Sequence, residues 1–124
     1  MSFQIRYNAA SRMVRVCFFG RTGAAARMAV AKLLAEKYRH LEPLRILVDV
    51  RFAQTAMSPS EQRQFGRYLA KHPVLGRAVM AVLHSKGFYP SLLIANEARA
   101  LGHGMRSFIV EAEALNWLRR RRAL

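Results

Sequence analysis

RILVDVRFAQTAMSPSEQ, residues 45–62, holds the two local patterns that decide the fold. Its first half belongs to a near-continuous apolar run, LRILVDV at 44–50, rich in β-branched residues. A strand that is apolar at successive positions is covered on both faces, as in a parallel sheet between layers. Its second half is a helix start: Ser58 supplies an N-cap hydroxyl, Pro59 takes the first helical position, and Glu61 closes a capping box. A strand, a short loop and then a helix is the repeating unit of an α/β protein.

The flanking sequence repeats this alternation. Upstream, SFQIRY (2–7) and RMVRVCFF (12–19) read as strands joined by a turn around Asn8-Ala9-Ala10-Ser11. Gly20-Arg21-Thr22-Gly23 breaks the pattern. Thr22 is the expected N-cap of a helix running to about Tyr38, with Ala25, Met28, Ala29, Leu33 and Tyr38 near one face. Downstream, the helix begun at Ser58 runs to about Lys71 and stops before His72-Pro73. AVMAVLH (78–84) is a second buried strand, and SLLIANEARAL (91–101) a helix with Pro90 near its first turn and Gly102 as its stop. Residues 107–110 form a last strand, and a last helix runs from Glu111 to about Arg121, its acids in the first turn and its arginines in the last, as the helix dipole prefers. The order β-β-α-β-α-β-α-β-α predicts an α/β domain with an about five-stranded, mostly parallel sheet and about four helices. Its βαβ units are right-handed, and the hairpin adds the first strand antiparallel.

Bulk composition agrees. A chain of 124 residues, 52% apolar and 10% aromatic, has the length and content for one cored domain over 1–124, with a basic tail at 119–124. Its apolar runs are about a strand long, short of the ~20 residues a membrane helix needs. The start, MSFQIRYNAASR, reads as a strand rather than a targeting segment. The single cysteine, Cys17, has no internal disulfide partner, which points to a reducing, cytoplasmic setting; within MVRVCFFG it is expected to be a small buried hydrophobe. His40, His72, His84 and His103 are isolated from one another, so neither a metal nor any other cofactor is expected. Met13, Met28 and Met80 stand at core-like phases, and the rings of Phe88-Tyr89 are expected to tuck over the core.

Three stretches carry a resemblance: RILVDVR (45–51), RAVMAVLH (77–84) and MRSFIVEAEALNWLRR (105–120). Together they resemble the STAS family, named for sulphate transporters and anti-sigma-factor antagonists, and within it the SpoIIAA-like (STAS/SEC14-type) stand-alone domains. The resemblance implies a sheet in roughly sequential order with helices mainly on one side, and Ala114 and Trp117-Leu118 facing the sheet. It also implies a protein without enzyme activity that works by binding partner proteins or small ligands. In the antagonists a serine in Asp-Ser-Ser-Gly at the start of the second helix is phosphorylated. Met57-Ser58-Pro59-Ser60 stands there, and only Ser58 matches.

The candidate sites follow from topology and charge. Parallel strands bring their carboxyl ends to one edge, where open α/β sheets bind ligands. Asp49 lies near that edge, where a pairing with Arg51 or loop N–H groups accounts for it. Arg21, Arg51 and Lys86 are expected in loops there, beside helix starts near Thr22, Ser58 and Pro90, a setting for an anion. Net charge is +14, from 21 basic and 7 acidic residues, spread along the chain except for the block Arg119, Arg120, Arg121 and Arg122. Such a field favours acidic partners. No Ser-His-Asp order, G-x-G-x-x-G or Walker-type loop is present. The reading is a non-enzymatic binding or regulatory module that takes a protein partner or a small anionic ligand at the strand edge, with room for a homodimer. The alternative is an electrostatic binder of nucleic acid or an anionic surface through the dispersed arginines and Arg119–Arg122. An enzyme built on Asp49 and a neighbouring loop group ranks third.

Overall fold

The structure is a computed structural model that describes residues 2–87, 89 and 92–120. Strands β1 (Ser2–Asn8), β2 (Met13–Thr22), β3 (Arg45–Thr55), β4 (Val79–Leu83) and β5 (Arg106–Phe108) form one sheet in sequential order. Helices α1 (Ala24–Tyr38), α2 (Pro59–Lys71), α3 (Leu92–Ala100) and α4 (Glu111–Arg120) alternate with them. β1 runs antiparallel to β2, and the other pairings are parallel. The predicted class and order of elements are therefore those observed.

Sequential order explains how the layers divide. A sheet that advances one strand at a time through right-handed crossovers places every crossover helix on the same face. Helices α1–α3 accordingly share one core with Val14, Val16, Phe18, Ile46, Val50 and Met80. α4 follows the last strand and crosses back over the other face. There Ala114 and Leu118, both fully buried, pack on Met13, Leu47, Val79, Ala81 and Leu83, with Trp117 half-buried beside Phe108. β3 and β4 are buried from both sides, which is why their sequences are apolar without alternation. Cys17, Met13 and Met80 are buried as expected. Tyr89 tucks against the helix-side core with its ring stacked on His84, whereas Phe88 and Pro90 lie outside the described residues.

Two expectations about α1 are corrected. Gly23, not Thr22, is its N-cap: Thr22 ends β2, is fully buried, and accepts a hydrogen bond from Arg27 Nε at 3.1 Å. The buried face is Arg27, Val30, Ala31, Leu34, Ala35 and Tyr38, while Ala25, Ala29 and Leu33 are exposed and Met28 is half-buried. Apolar residues lie all round this helix, so spacing alone does not choose its inner face.

The start of α2 is as predicted. Ser58 Oγ accepts from the Glu61 N–H at 3.1 Å, Glu61 Oε1 accepts from the Ser58 N–H at 2.8 Å, and Pro59 opens the helix. Ser58→Ala is expected to lower unfolding stability by about 1 kcal/mol in urea melts. A loss below about 0.3 kcal/mol would mean that the cap adds little.

Candidate functional site

β2 and β3 pair well beyond their apolar runs. Phe19 to Thr22 lie opposite Phe52 to Thr55, past the end of β4 at Leu83. Arg21 and Arg51 are therefore strand residues rather than the expected loop residues. Between Cys17 and Phe19 on β2 the register advances two positions, while on β3 it advances three, from Asp49 to Phe52. The extra residue is a bulge, a device that re-aims side chains. Arg51 and Phe52 consequently share the α4-side face, with the guanidinium 5.4 Å from the Phe52 ring centroid and Phe52 stacked on Phe19 at 6.2 Å. Both phenylalanines are exposed.

Asp49 sits in the middle of β3 on that face, 1% exposed, rather than at the carboxyl end of the strand, because β3 runs on to Thr55. Its Oδ1 accepts from Arg51 N–H (3.1 Å) and Nε (3.0 Å), and its Oδ2 from Arg51 Nη2 (2.8 Å) and Arg15 Nη2 (3.3 Å). Glu111, in the first turn of α4, accepts from Arg15 Nη2 (2.8 Å) and Arg51 Nη2 (3.3 Å). The pairing with Arg51 was legible in the sequence; Arg15 and Glu111 were not, since they come from another strand and the last helix. Burial pushes the Asp49 carboxyl up, but the hydrogen bonds from Arg51 and the charges of Arg51 and Arg15 outweigh it and hold the group below the usual carboxylate range. The Arg15 hydrogen bond likewise holds Glu111 low. Two arginines and two carboxylates sum to zero charge, so this cluster is a clasp fastening the start of α4 to β2 and β3.

The five residues expected at one anion site are thus divided. Asp49 and Arg51 are committed to the clasp, Thr22 is buried against α1, and Arg21 and Lys86 remain exposed at the strand ends. Ser58 is exposed at the α2 cap. Arg119 and Arg120 are exposed on the last turn of α4, and Arg121 and Arg122 lie outside the described residues.

A different cationic concavity appears between the β1–β2 hairpin and α4. It has a volume of about 620 Å³, a floor that includes Met13, Leu47 and Leu115, and walls that carry Arg6, Arg15 and Arg119. No acidic residue lines it among the described residues. Arg6 is exposed on β1, opposite Arg15, and Arg119 Nη2 donates to Asn116 Oδ1 at 2.7 Å. Sequence alone hid this groove because its arginines lie on β1, β2 and α4 and meet only when α4 crosses the sheet.

Among the described residues, no group of three or more His, Cys, Asp or Glu could hold a metal, and no helix is long and apolar enough to cross a membrane. His103 is buried, with Nδ1 accepting from Met105 N–H and Nε2 donating to Leu75 O, and burial pushes its pKa down. It braces a loop.

These elements define a SpoIIAA-like α/β fold. A protein from Shewanella loihica PV-4, an uncharacterized member of the DUF3478 family with a SpoIIAA-like fold, has a solved structure that matches with a TM-score of 0.63. The match covers 94% of this chain and 92% of that one at 13% identity, a likeness of fold alone. No family model and no curated protein matches the sequence.

Proposed function

We propose that this protein is a non-enzymatic binding module that docks an acidic, partly apolar segment of a partner protein in the groove between the β1–β2 hairpin and α4. The observation that carries this reading is the groove itself: about 620 Å³, apolar at its base, walled by Arg6 and Arg119 together with Arg15 of the neutral clasp, with no carboxylate among the described lining residues. A net charge of +14 draws an acidic partner toward it and repels a basic one. The absence of catalysis is supported by the state of Asp49, which two arginines keep ionised and occupied on both oxygens, so it is poorly suited to accept or deliver protons near neutral pH.

Fluorescence anisotropy with a labelled Glu/Leu amphipathic peptide tests this, with the Lys/Leu peptide of the same pattern as control. The acidic peptide should bind, and Arg6→Glu with Arg119→Glu should weaken it about tenfold or more, equivalent to about 1.4 kcal/mol. Arg21→Glu with Lys86→Glu, at the strand ends, should leave it within about twofold. Equal loss from both pairs would reduce the groove to part of a general field.

The stacked Phe19–Phe52 pair beside Arg51 favours a second reading, a single-stranded nucleic acid lying on the projecting β2–β3 ribbon. Base stacking on such a pair is worth about 1–3 kcal/mol. Under this reading Phe52→Ala weakens binding of an oligothymidylate by tenfold or more, and Arg6→Glu with Arg119→Glu matters less.

A further inference from the structure

Arg27 is buried inside the apolar layer between the sheet and α1–α3, 4% exposed. Its Nε donates to Thr22 Oγ1, its Cζ lies 4.4 Å from the centre of the Phe18 ring, and its Nη2 is buried with no hydrogen-bond partner among the described residues. Burial pulls the guanidinium down to about 10, which still leaves it protonated at neutral pH. The nearby groups are a neutral hydroxyl and a ring face. Several of the carboxylates are engaged elsewhere: Asp49 and Glu111 in the clasp, Glu61 at the α2 cap and Glu97 near Arg67. A buried cation so poorly matched is costly unless something else meets it.

Beside it lies a cavity of about 60 Å³, lined by Arg27 and otherwise only by apolar side chains, among them Val16, Phe18, Val48, Phe65 and Ile94. We propose that this cavity binds a carboxylate of about acetate size, whose oxygens accept from Arg27 Nη2 while its methyl group meets the apolar remainder. Water is a poor occupant, because a buried water needs two to four polar partners and the lining offers one charged side chain. A carboxylate brings the missing acceptor, and a guanidinium–carboxylate contact is among the stronger hydrogen bonds available. The volume sets the ligand size. Benzene, with six heavy atoms, occupies a cavity of about 150 Å³, so the space here suits a carboxylate of about three or four heavy atoms, formate or acetate, and not a longer acyl chain. This site lies on the opposite side of the sheet from the groove and does not depend on it.

Proton–nitrogen NMR titration of the unmodified protein tests the proposal, with sodium acetate, ethanol and sodium chloride as probes at matched ionic strength. Acetate should give saturable shifts at the Thr22 and Val30 amides and at the Arg27 Nε–H. The alcohol should bind at least tenfold more weakly, chloride should give no saturable shift, and hexanoate should bind less well than acetate. Arg27→Met should remove acetate binding while raising the melting temperature of the free protein. No saturable shift with acetate, an alcohol that binds equally well, chloride reproducing the same shifts, or acetate binding unchanged in Arg27→Met would each overturn it. Should Arg27→Met fail to fold, the comparison of carboxylate with alcohol on the unmodified protein still decides.

Discussion

Asp49→Ala is expected to lower the unfolding free energy by about 3 kcal/mol, the lower end of the cost of stripping one partner from a buried ion pair. In a chain of this length that is a fall in Tm of roughly 10 °C. Asp49 is nine-tenths or more buried, and its removal leaves Arg15 and Arg51 facing each other with only Glu111 between them. The loss stays at the lower end because both arginines are about a third exposed, so water relieves part of the repulsion. Asp49→Asn keeps one acceptor oxygen for Arg51 and should lose less. The pH dependence has a definite sign. Asp49 and Glu111 have folded-state pKa values below their unfolded ones, so the stability they contribute is present above the ordinary carboxylate range of about 4. It is lost as the pH falls through the lower, folded values. Urea melts from pH 7 to pH 2.5 should therefore show a steep acid limb for the unmodified protein and a shallower one for Asp49→Ala. Parallel limbs would mean that the clasp does not control acid stability.

The clasp also marks where sequence reading stops. The strand and helix order was legible because each element carries its own local signal: an unbroken apolar run at Leu44–Val50, a capping box at Ser58–Glu61, a stop at Gly102. The end of β3 was not, because Phe52–Thr55 lacks an apolar run and becomes strand only through pairing with the overlong β2. Ala114, Trp117 and Leu118 announce that one side of α4 is covered, but the face of the sheet that covers it is a property of the crossovers. Arg27 is the sharpest case. A single arginine in the first turn of a helix reads as solvated, and only the packing of α1 over Phe18 turns it inward.

Gly66→Ala is expected to destabilise the protein by about 2 kcal/mol and Gly66→Val by about 3 kcal/mol, against the usual helical preference for residues with side chains. Gly66 is buried in α2, where a Cβ would stand 2.5 Å from the Ile94 carbonyl oxygen, 3.0 Å from Glu97 Cβ and 3.3 Å from the Ala98 nitrogen. The nearest obstacle is helix backbone, which cannot rotate away as a flexible side chain would, so α3 must shift as a body. Ala95 and Ala98, both fully buried on α3, belong to the same close crossing, where small residues let two helices approach. Replacing glycine by alanine in a helix ordinarily gains about 1 kcal/mol, which offsets part of the overpacking cost of 1–3 kcal/mol; valine lacks most of that gain and adds bulk. Urea denaturation followed by circular dichroism gives both values, and a stabilised Gly66→Ala would show that α2 and α3 are not held at this separation. The same wedge bears on the ligand site, because Phe65 and Leu69 of α2 and Ile94 of α3 line the cavity beside Arg27. Forcing these helices apart enlarges that space, so Gly66→Ala should move the preferred carboxylate from acetate toward a longer chain while keeping the dependence on Arg27.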